Sequence, residues 1–279
     1  MEKITFQKVG TDAEVFFVHK MTKKPIPVIG LVGGTKENPK PIPLLNKQYG
    51  NGFAIQEDNV MAEFNIPPCG EPGLFMNHIH VMRNWLTKEA EKHDCKLRIT
   101  GSARFEKEQL FHEQAQTFGC EPDFCVWTRS ENQIDRSLPD LKTLRTAAAH
   151  VHVSFLEGGK KPSLEAKEFA VMMLDLHLGV PSVLLDDDVE RRKVYGKAGA
   201  FRIKDYGVEH RVMSNYWIRE NFLVQWVFQQ TQLAIARLND KAFLRFVLDS
   251  SKQIQEAINN CDKEQANVLV RSIGINLPC

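Results

Sequence analysis

The chain has 279 residues, 43% of them apolar, with 36 Lys plus Arg against 35 Asp plus Glu. A net charge of +1 offers no global attraction to nucleic acid or an anionic membrane, and this length and apolar fraction suit a sizeable core. No stretch reads as the ~20 unbroken apolar residues of a membrane helix, and Met1–Thr5 lacks the basic-then-apolar profile of a secretory signal, so the expected compartment is the cytoplasm. Collagenous, disordered and membrane-spanning classes are excluded.

In chain order, Val9–Val18 reads as a strand rich in β-branched and aromatic residues. Pro27–Gly34 is an apolar run ending in a glycine pair, followed by a loop containing Pro39, Pro41 and Pro43. Phe53–Gln56 and Val60–Ile66, flanking Glu57-Asp58-Asn59, read as a hairpin or two adjacent strands stopped by Pro67-Pro68. Phe75, Ile79, Met82 and Leu86 recur at helical spacing and predict a helix over about 71–93. A strand is expected over 97–105 and a helix over 106–118. Within 143–156 the alternating run Val151–Phe155 is a strand. A helix opens at Pro162-Ser163-Leu164-Glu165 and is expected to stop at Gly179. A short helix over 190–195 and strands at 200–202 and 208–212 follow. From 216 to 273 the pattern is helical, broken near Asn239-Asp240, Ser250-Ser251 and Cys261-Asp262. The expectation is one α+β domain over 1–279, with a helical C-terminal subdomain over about 216–279.

Six cysteines are scattered without a Cys-x-x-Cys. Cys120 and Cys125 could form half a zinc site, but no second pair completes four ligands, so buried free thiols are the better reading.

The chemistry lies in polar residues that break apolar strands at alternate positions. Strand side chains alternate faces, so Asp12 and Glu14 share a face, as do Glu63 and Asn65, His150 and His152, and Glu209 and Arg211. Taken singly, each pair reads as solvated surface, and Glu209/Arg211 as an ion pair contributing ~0–1 kcal/mol. Together they point to a polar groove on one sheet face. Mostly oxygen ligands favour Mg2+ or Mn2+ over zinc, and Arg202 and Arg211, with Lys197 and Arg145 as further candidates, could clamp phosphate or carboxylate. Carboxylates beside arginines are what phosphoryl transfer from a metal-bound nucleotide requires. No P-loop and no Gly-x-Gly-x-x-Gly after a strand is present, which excludes those nucleotide-binding folds.

Thr11–Phe16, Asn59–Pro68, His150–Val153, Tyr195–Arg202 and Tyr206–Asn215 together resemble the phage-encoded COOH.NH2 ligase type 2 family of the glutamine synthetase-like superfamily. The resemblance spans about 8–230 and implies a glutamine synthetase-like catalytic fold, a curved antiparallel sheet flanked by helices. It implies ATP with Mg2+ (or Mn2+), an acyl phosphate formed from a carboxylate, and its displacement by an amine. The substrates implied are small-molecule or peptide carboxylates and amines, with neither nucleic acid nor membrane as partner and, for a phage protein, action in the host cytoplasm. By motif position Asp12, Glu14, Glu63, Asn65, His152 and Glu209 resemble metal ligands. His150, His152, Lys197, Arg202 and Arg211 resemble nucleotide-binding residues, and Arg202, Glu209 and Arg211 the catalytic set. In glutamine synthetase the second metal-binding region has two separated glutamates, whereas Glu63 alone is found here, with Asn65 as a neutral donor. Gly30–Gly34 and Phe118–Asp123 also look family-like, as elements that shape a substrate or nucleotide site. The competing readings are a catalytically silent phage scaffold or binding protein that retains the fold, and a metal-dependent hydrolase using His150 and His152. The second is weakened by the lack of a third nearby histidine.

Overall fold

The structure is a computed structural model, and it describes residues 1–116, 123–133 and 142–278. Its backbone is one long strand, Ile4–His19, in which Val9, Ala13, Val15, Phe16 and Phe17 are buried. That strand starts before the predicted Val9, so Gly10 lies within it, opposite His152. One part of it pairs antiparallel with Met61–Asn65 and Ala149–Glu157; its far end pairs with Pro25–Ile26 and Cys95–Arg98. The sheet runs Lys40–Pro41, Ala54–Asp58, Met61–Asn65, Ile4–His19, Ala149–Glu157, Gly207–His210, Ala200–Lys204, Phe124–Cys125 and Ser130–Glu131, each strand antiparallel to the next.

Period-two alternation gives this sheet two different faces. One carries Ala13, Val15, Ala62, Phe64, Val151, Val153 and Val208, all buried. The helix Asn221–Arg237 packs on the first strand and the helix Leu164–Leu174 on Gly207–His210. The helix Pro72–Glu91 buries Phe75, Ile79, Met82 and Leu86, as their spacing predicts. The other face carries the polar residues.

Three local predictions are corrected. The helix expected to end at Gly179 continues as a π turn, Asp175–Gly179, into Val180–Leu185. Gly179 has ordinary helical dihedrals there, and it is glycine because a Cβ would lie 2.8 Å from Ile258 Cδ1. The strand expected over 97–105 is two, Cys95–Arg98 and Ser102–Arg104, the latter pairing with Leu144–Thr146 in a separate sheet. The helix expected over 106–118 is a 3-10 turn, Lys107–Leu110, and a single α turn, Glu113–Gln116, with 117 and 118 outside the described residues.

Leu164–Leu185 is also long and apolar enough to cross a membrane by length and composition, contrary to the sequence expectation, but 78% of its apolar window is buried in this fold. At the C-terminus, helices Lys241–Asp249, Ser251–Asn259 and Lys263–Ser272 follow Asn221–Arg237, with breaks where the sequence placed them. Asp240 and Asp262 cap two of them by accepting from Ala242 N and Gln265 N. Cys69, Cys95 and Cys125 are buried free thiols and Cys261 is half-buried; Cys120 and Cys279 lie outside the described residues.

Candidate active site on the polar sheet face

Register brings the predicted residues together. Asp12 lies opposite His150 on one side and Asn65 on the other, and Glu14 lies opposite Glu63. His152 faces Glu209, which faces Arg202, and Glu63 faces Gln56. Residues directly opposite in an antiparallel pair share a face, so stretches as distant as Asp12 and Glu209 meet on one surface. The close approach of strands Gly207–His210 and Ala149–Glu157 depends on Gly207, where a Cβ would sit 2.1 Å from the Val153 carbonyl oxygen.

Two groups of ligand atoms emerge, each mutually within 4.8 Å: Asp12, His150 and Glu209, and Glu14, Asp58 and Glu63. In the first, His150 Nδ1 is 2.9 Å from Asp12 Oδ1, and His152 Nε2 is 3.2 Å from the same oxygen. Burial alone would raise the Asp12 pKa, but His150 and His152 outweigh it and hold the carboxyl well below its usual range. Glu209 is fully buried and ringed by cations: Arg211 donates to Oε1, Arg202 Nη1 is 3.3 Å from Oε1, and Lys204 Nζ is 2.8 Å from Oε2. Burial and Asp12 oppose its ionisation, yet His150, Arg211 and His152 bring its pKa down to about 2. Arg211 is further held through Nε by Asp123 Oδ2 at 3.1 Å.

The second group has the opposite balance. Glu14, Asp58 and Glu63 form no salt bridge among the described residues. Glu14 Oε2 accepts from Ala148 N at 2.6 Å and Glu63 Oε1 from Gln56 Nε2 at 2.9 Å. Burial first, then Asp58, raises the Glu14 pKa to about 8 against the Ala148 bond. Burial, then Asp12, Asp58 and Glu14, places Glu63 well above the usual range. Glu14 and Glu63, both held toward the neutral form, beside the half-buried Asp58 make an oxygen-only donor set that fits a hard divalent cation. The mixed set Asp12, His150 and Glu209 fits one as well. The site is therefore polarised, with Arg202, Lys204 and Arg211 at one end and, among the described residues, an acidic triad without ion pairs at the other.

The remaining candidates are placed as follows. His152 lies outside both groups: Tyr206, whose pKa burial pushes up, has its hydroxyl 2.8 Å from His152 Nδ1, leaving Nε2 to face Asp12. Asn65 and His152 border a cavity of about 330 Å³ with Lys8, Ser154 and Tyr206. Lys197 lies in the loop before Ala200–Lys204, half-buried, with no side-chain contact to the site among the described residues. Arg145 does not join the site: its guanidinium donates to Asn59 Oδ1, Leu144 O and Ala115 O. The glycine stretch is held by Glu57, whose carboxylate accepts from Gly30, Val32 and Gly33 N–H groups; Phe118–Pro122 lies outside the described residues.

Sequence reasoning missed Asp58 and Lys204, and named Tyr206 and Asp123 only within longer motifs, without a role of their own. Lys204 was detectable, since it shares the Arg202 face at i+2. Asp58 sits at a strand end beside the Asn59 turn, where an acidic residue reads as turn chemistry.

The family model described as phage phiEco32-like COOH.NH2 ligase-type 2 matches residues 147–277, the same family that the sequence motifs resemble. Among solved structures, apo GmaS without ligand aligns over 99% of this chain and 70% of its own, at 12% identity and a TM-score of 0.42. A GmaS/ADP complex aligns over 96% and 68%, at 10% identity and a TM-score of 0.43. No curated protein matches the sequence.

Proposed function

We propose that this chain is an ATP- and Mg2+-dependent ligase that joins a carboxylate to an amine through an acyl phosphate, and that 1–279 acts as one catalytic domain. The observation that carries this reading is the juxtaposition of two cation-fitting groups with a cluster of guanidinium and ammonium groups on one sheet face. The family description, a COOH.NH2 ligase, supports it.

A carboxylate does not condense with an amine in water because its oxygen is a poor leaving group. Phosphorylation supplies a good one. In this reading Asp12, His150 and Glu209 hold one cation and Glu14, Asp58 and Glu63 another; bound cations would neutralise phosphate and carboxylate oxygens. Arg202 and Arg211 stabilise charge on the transferring phosphoryl group, with Lys204 as a point charge beside them. His152, whose Nδ1 faces the Tyr206 hydroxyl, places Nε2 3.2 Å from Asp12 and favours the ionised form of that carboxylate. The Ala148 N–H does the same for Glu14.

The test is mass spectrometry of products after incubation with ATP, Mg2+ and a metabolite extract, with Glu209→Ala as control. A new amide and stoichiometric ADP and phosphate from wild type, absent with the variant, is the expected outcome. No nucleotide turnover, and no Mg2+-ATP-dependent rise in melting temperature, would favour the silent-scaffold reading.

A further inference from the structure

We propose that Asp175, wholly buried on the side of the sheet opposite the polar face, is a positioning residue that fixes Arg211 and Glu209 for the reaction. This rests on the ligase reading for its effect on rate, while its geometric content stands separately.

The carboxylate of Asp175 has no solvent exposure, an arrangement that is costly unless its oxygens are satisfied. They are. Oδ1 lies 2.9 Å from His210 Nε2, and Oδ2 accepts from Trp127 Nε1 at 2.7 Å and from Gly199 N at 2.6 Å. His210 Nδ1 is buried without a hydrogen-bond partner among the described residues, so the economical tautomer carries its proton on Nε2 and donates to Asp175.

The three donors come from three separate segments, and each segment connects to Arg211. His210 is flanked by Glu209 and Arg211 on the chain. Gly199 precedes Ala200, whose carbonyl accepts the Arg211 backbone N–H at 2.9 Å. Trp127 belongs to the turn joining Phe124–Cys125 to Ser130–Glu131, a segment that begins with Asp123, the carboxylate on Arg211 Nε. One buried anion thus ties down the chain beside Arg211, the backbone opposite it, and the segment carrying its side-chain partner.

The fold departs from regularity to put it there. Asp175 opens the π turn, where Val180 N–H reaches back to the Asp175 carbonyl, and such wide turns recur at functional sites. Gly199 adopts φ +76°, and a Cβ there would sit 2.5 Å from Trp127 Cδ1, so its close approach to the carboxylate excludes larger residues. An active-site guanidinium must be held to a fraction of an ångström.

The test compares Asp175→Asn with Val247→Ala, a buried substitution in the C-terminal helices chosen as a control for general loss of stability. Asparagine has one acceptor oxygen and one donor amide, so it cannot accept from both sides. At a temperature well below either melting point, kcat for ADP formation should fall at least tenfold in Asp175→Asn with KM for ATP within about threefold. Val247→Ala should stay within twofold of wild type. Amide exchange should quicken at 123–131 and 207–212 in Asp175→Asn alone. Equal kcat in the two variants overturns the proposal. If wild type releases no ADP, the ligase reading fails and the exchange comparison decides: local quickening supports positioning, unchanged exchange overturns it. If Asp175→Asn does not fold, Trp127→Phe, which removes one donor from a half-buried side chain, should show a severalfold fall in kcat; no fall overturns the proposal.

Discussion

Replacing Glu14 by Gln separates the two demands placed on the acidic triad. In the metal-free protein the Glu14 carboxyl is held at a pKa of about 8 against 4.5 for the free group. A raised carboxyl pKa is neutral-favouring: its contribution is harmless below pH 4.5 and costs stability progressively as pH rises toward 8. At pH 7 the interval is 7 minus 4.5, or 2.5 units, which at 1.36 kcal/mol per unit is a cost of about 3 kcal/mol. Glutamine cannot ionise, and its carbonyl oxygen can still accept from Ala148 N. In EDTA at pH 7 the variant should therefore melt about 6 °C above wild type, at roughly 2 °C per kcal/mol for a chain of this size. At pH 5 the cost in wild type has shrunk to about 1 kcal/mol, and the advantage of Glu14→Gln should shrink with it. In millimolar Mg2+ the order should reverse, because the wild-type triad gains most from a cation that displaces its protons. Differential scanning fluorimetry in EDTA and in Mg2+ at both pH values reads all four quantities. A Glu14→Gln melting point below wild type in EDTA, or an undiminished Mg2+ shift in the variant, would refute the reasoning.

Arg211→Lys keeps the charge but loses the fork that meets Asp123, Glu209 and His150 together; kcat/KM for ADP formation should fall about 100-fold, or about 3 kcal/mol, and a loss under threefold would show that charge alone suffices. Tyr206→Phe removes the hydroxyl facing His152 Nδ1, and Mg2+ or Mn2+ affinity measured by calorimetry should weaken about tenfold; unchanged affinity would leave Tyr206 as a cavity wall only. His177 is buried between Gln230 Oε1 and Arg237 Nη1, and since arginine only donates, Nε2 accepts and Nδ1 donates to Gln230. Burial, with Arg237 adding to it, lowers the His177 pKa to about 3, so stability present above pH 6.5 is lost as pH falls toward 3. From pH 7 to 5 this group should account for about 2 kcal/mol, read as a shallower acid loss of the urea midpoint in His177→Gln; parallel losses in the two proteins would refute it.

Much of this arrangement was legible because strands announce their faces. Asp12-x-Glu14, Glu63-x-Asn65, His150-x-His152 and Glu209-x-Arg211 each put both members of a pair on one side, and the structure puts all four pairs on the same side. The partners of those residues were harder to see because pairing is decided between segments far apart in the chain. Nothing near Asp12 indicates that His150 will lie opposite it. Arg145 failed as a site candidate for the same reason: its charge was visible, but not the two carbonyls and the Asn59 side chain that occupy it. The helix end at Gly179 was misread because a glycine was taken as a stop signal when its smallness serves contact with Ile258. Asp175 and His177 were invisible in an apolar helical run, where a buried polar residue is recognised only through its partners.

The two cation-fitting groups divide unevenly along the chain, and that division bears on what the fold must hold together. Residues 147–277, which match the family model, contain His150, His152, Arg202, Lys204, Glu209 and Arg211, the whole cationic end. Glu14, Asp58 and Glu63 all lie before it, and Asp12 crosses the boundary by pairing with His150. The strand Ile4–His19 sits between Met61–Asn65 and Ala149–Glu157, so it is the only sheet neighbour joining acidic triad to cationic end among the described strands. Its hydrogen bonds set the separation of the two groups, and two residues, Asp12 and Glu14, contribute one ligand to each. A register slip of one residue would turn both carboxylates toward the apolar helices and leave the polar face without either. The burial of Ala13 and Val15 between and beyond them therefore specifies the site as much as the carboxylates do, because those apolar side chains are what make the slipped register unfavourable.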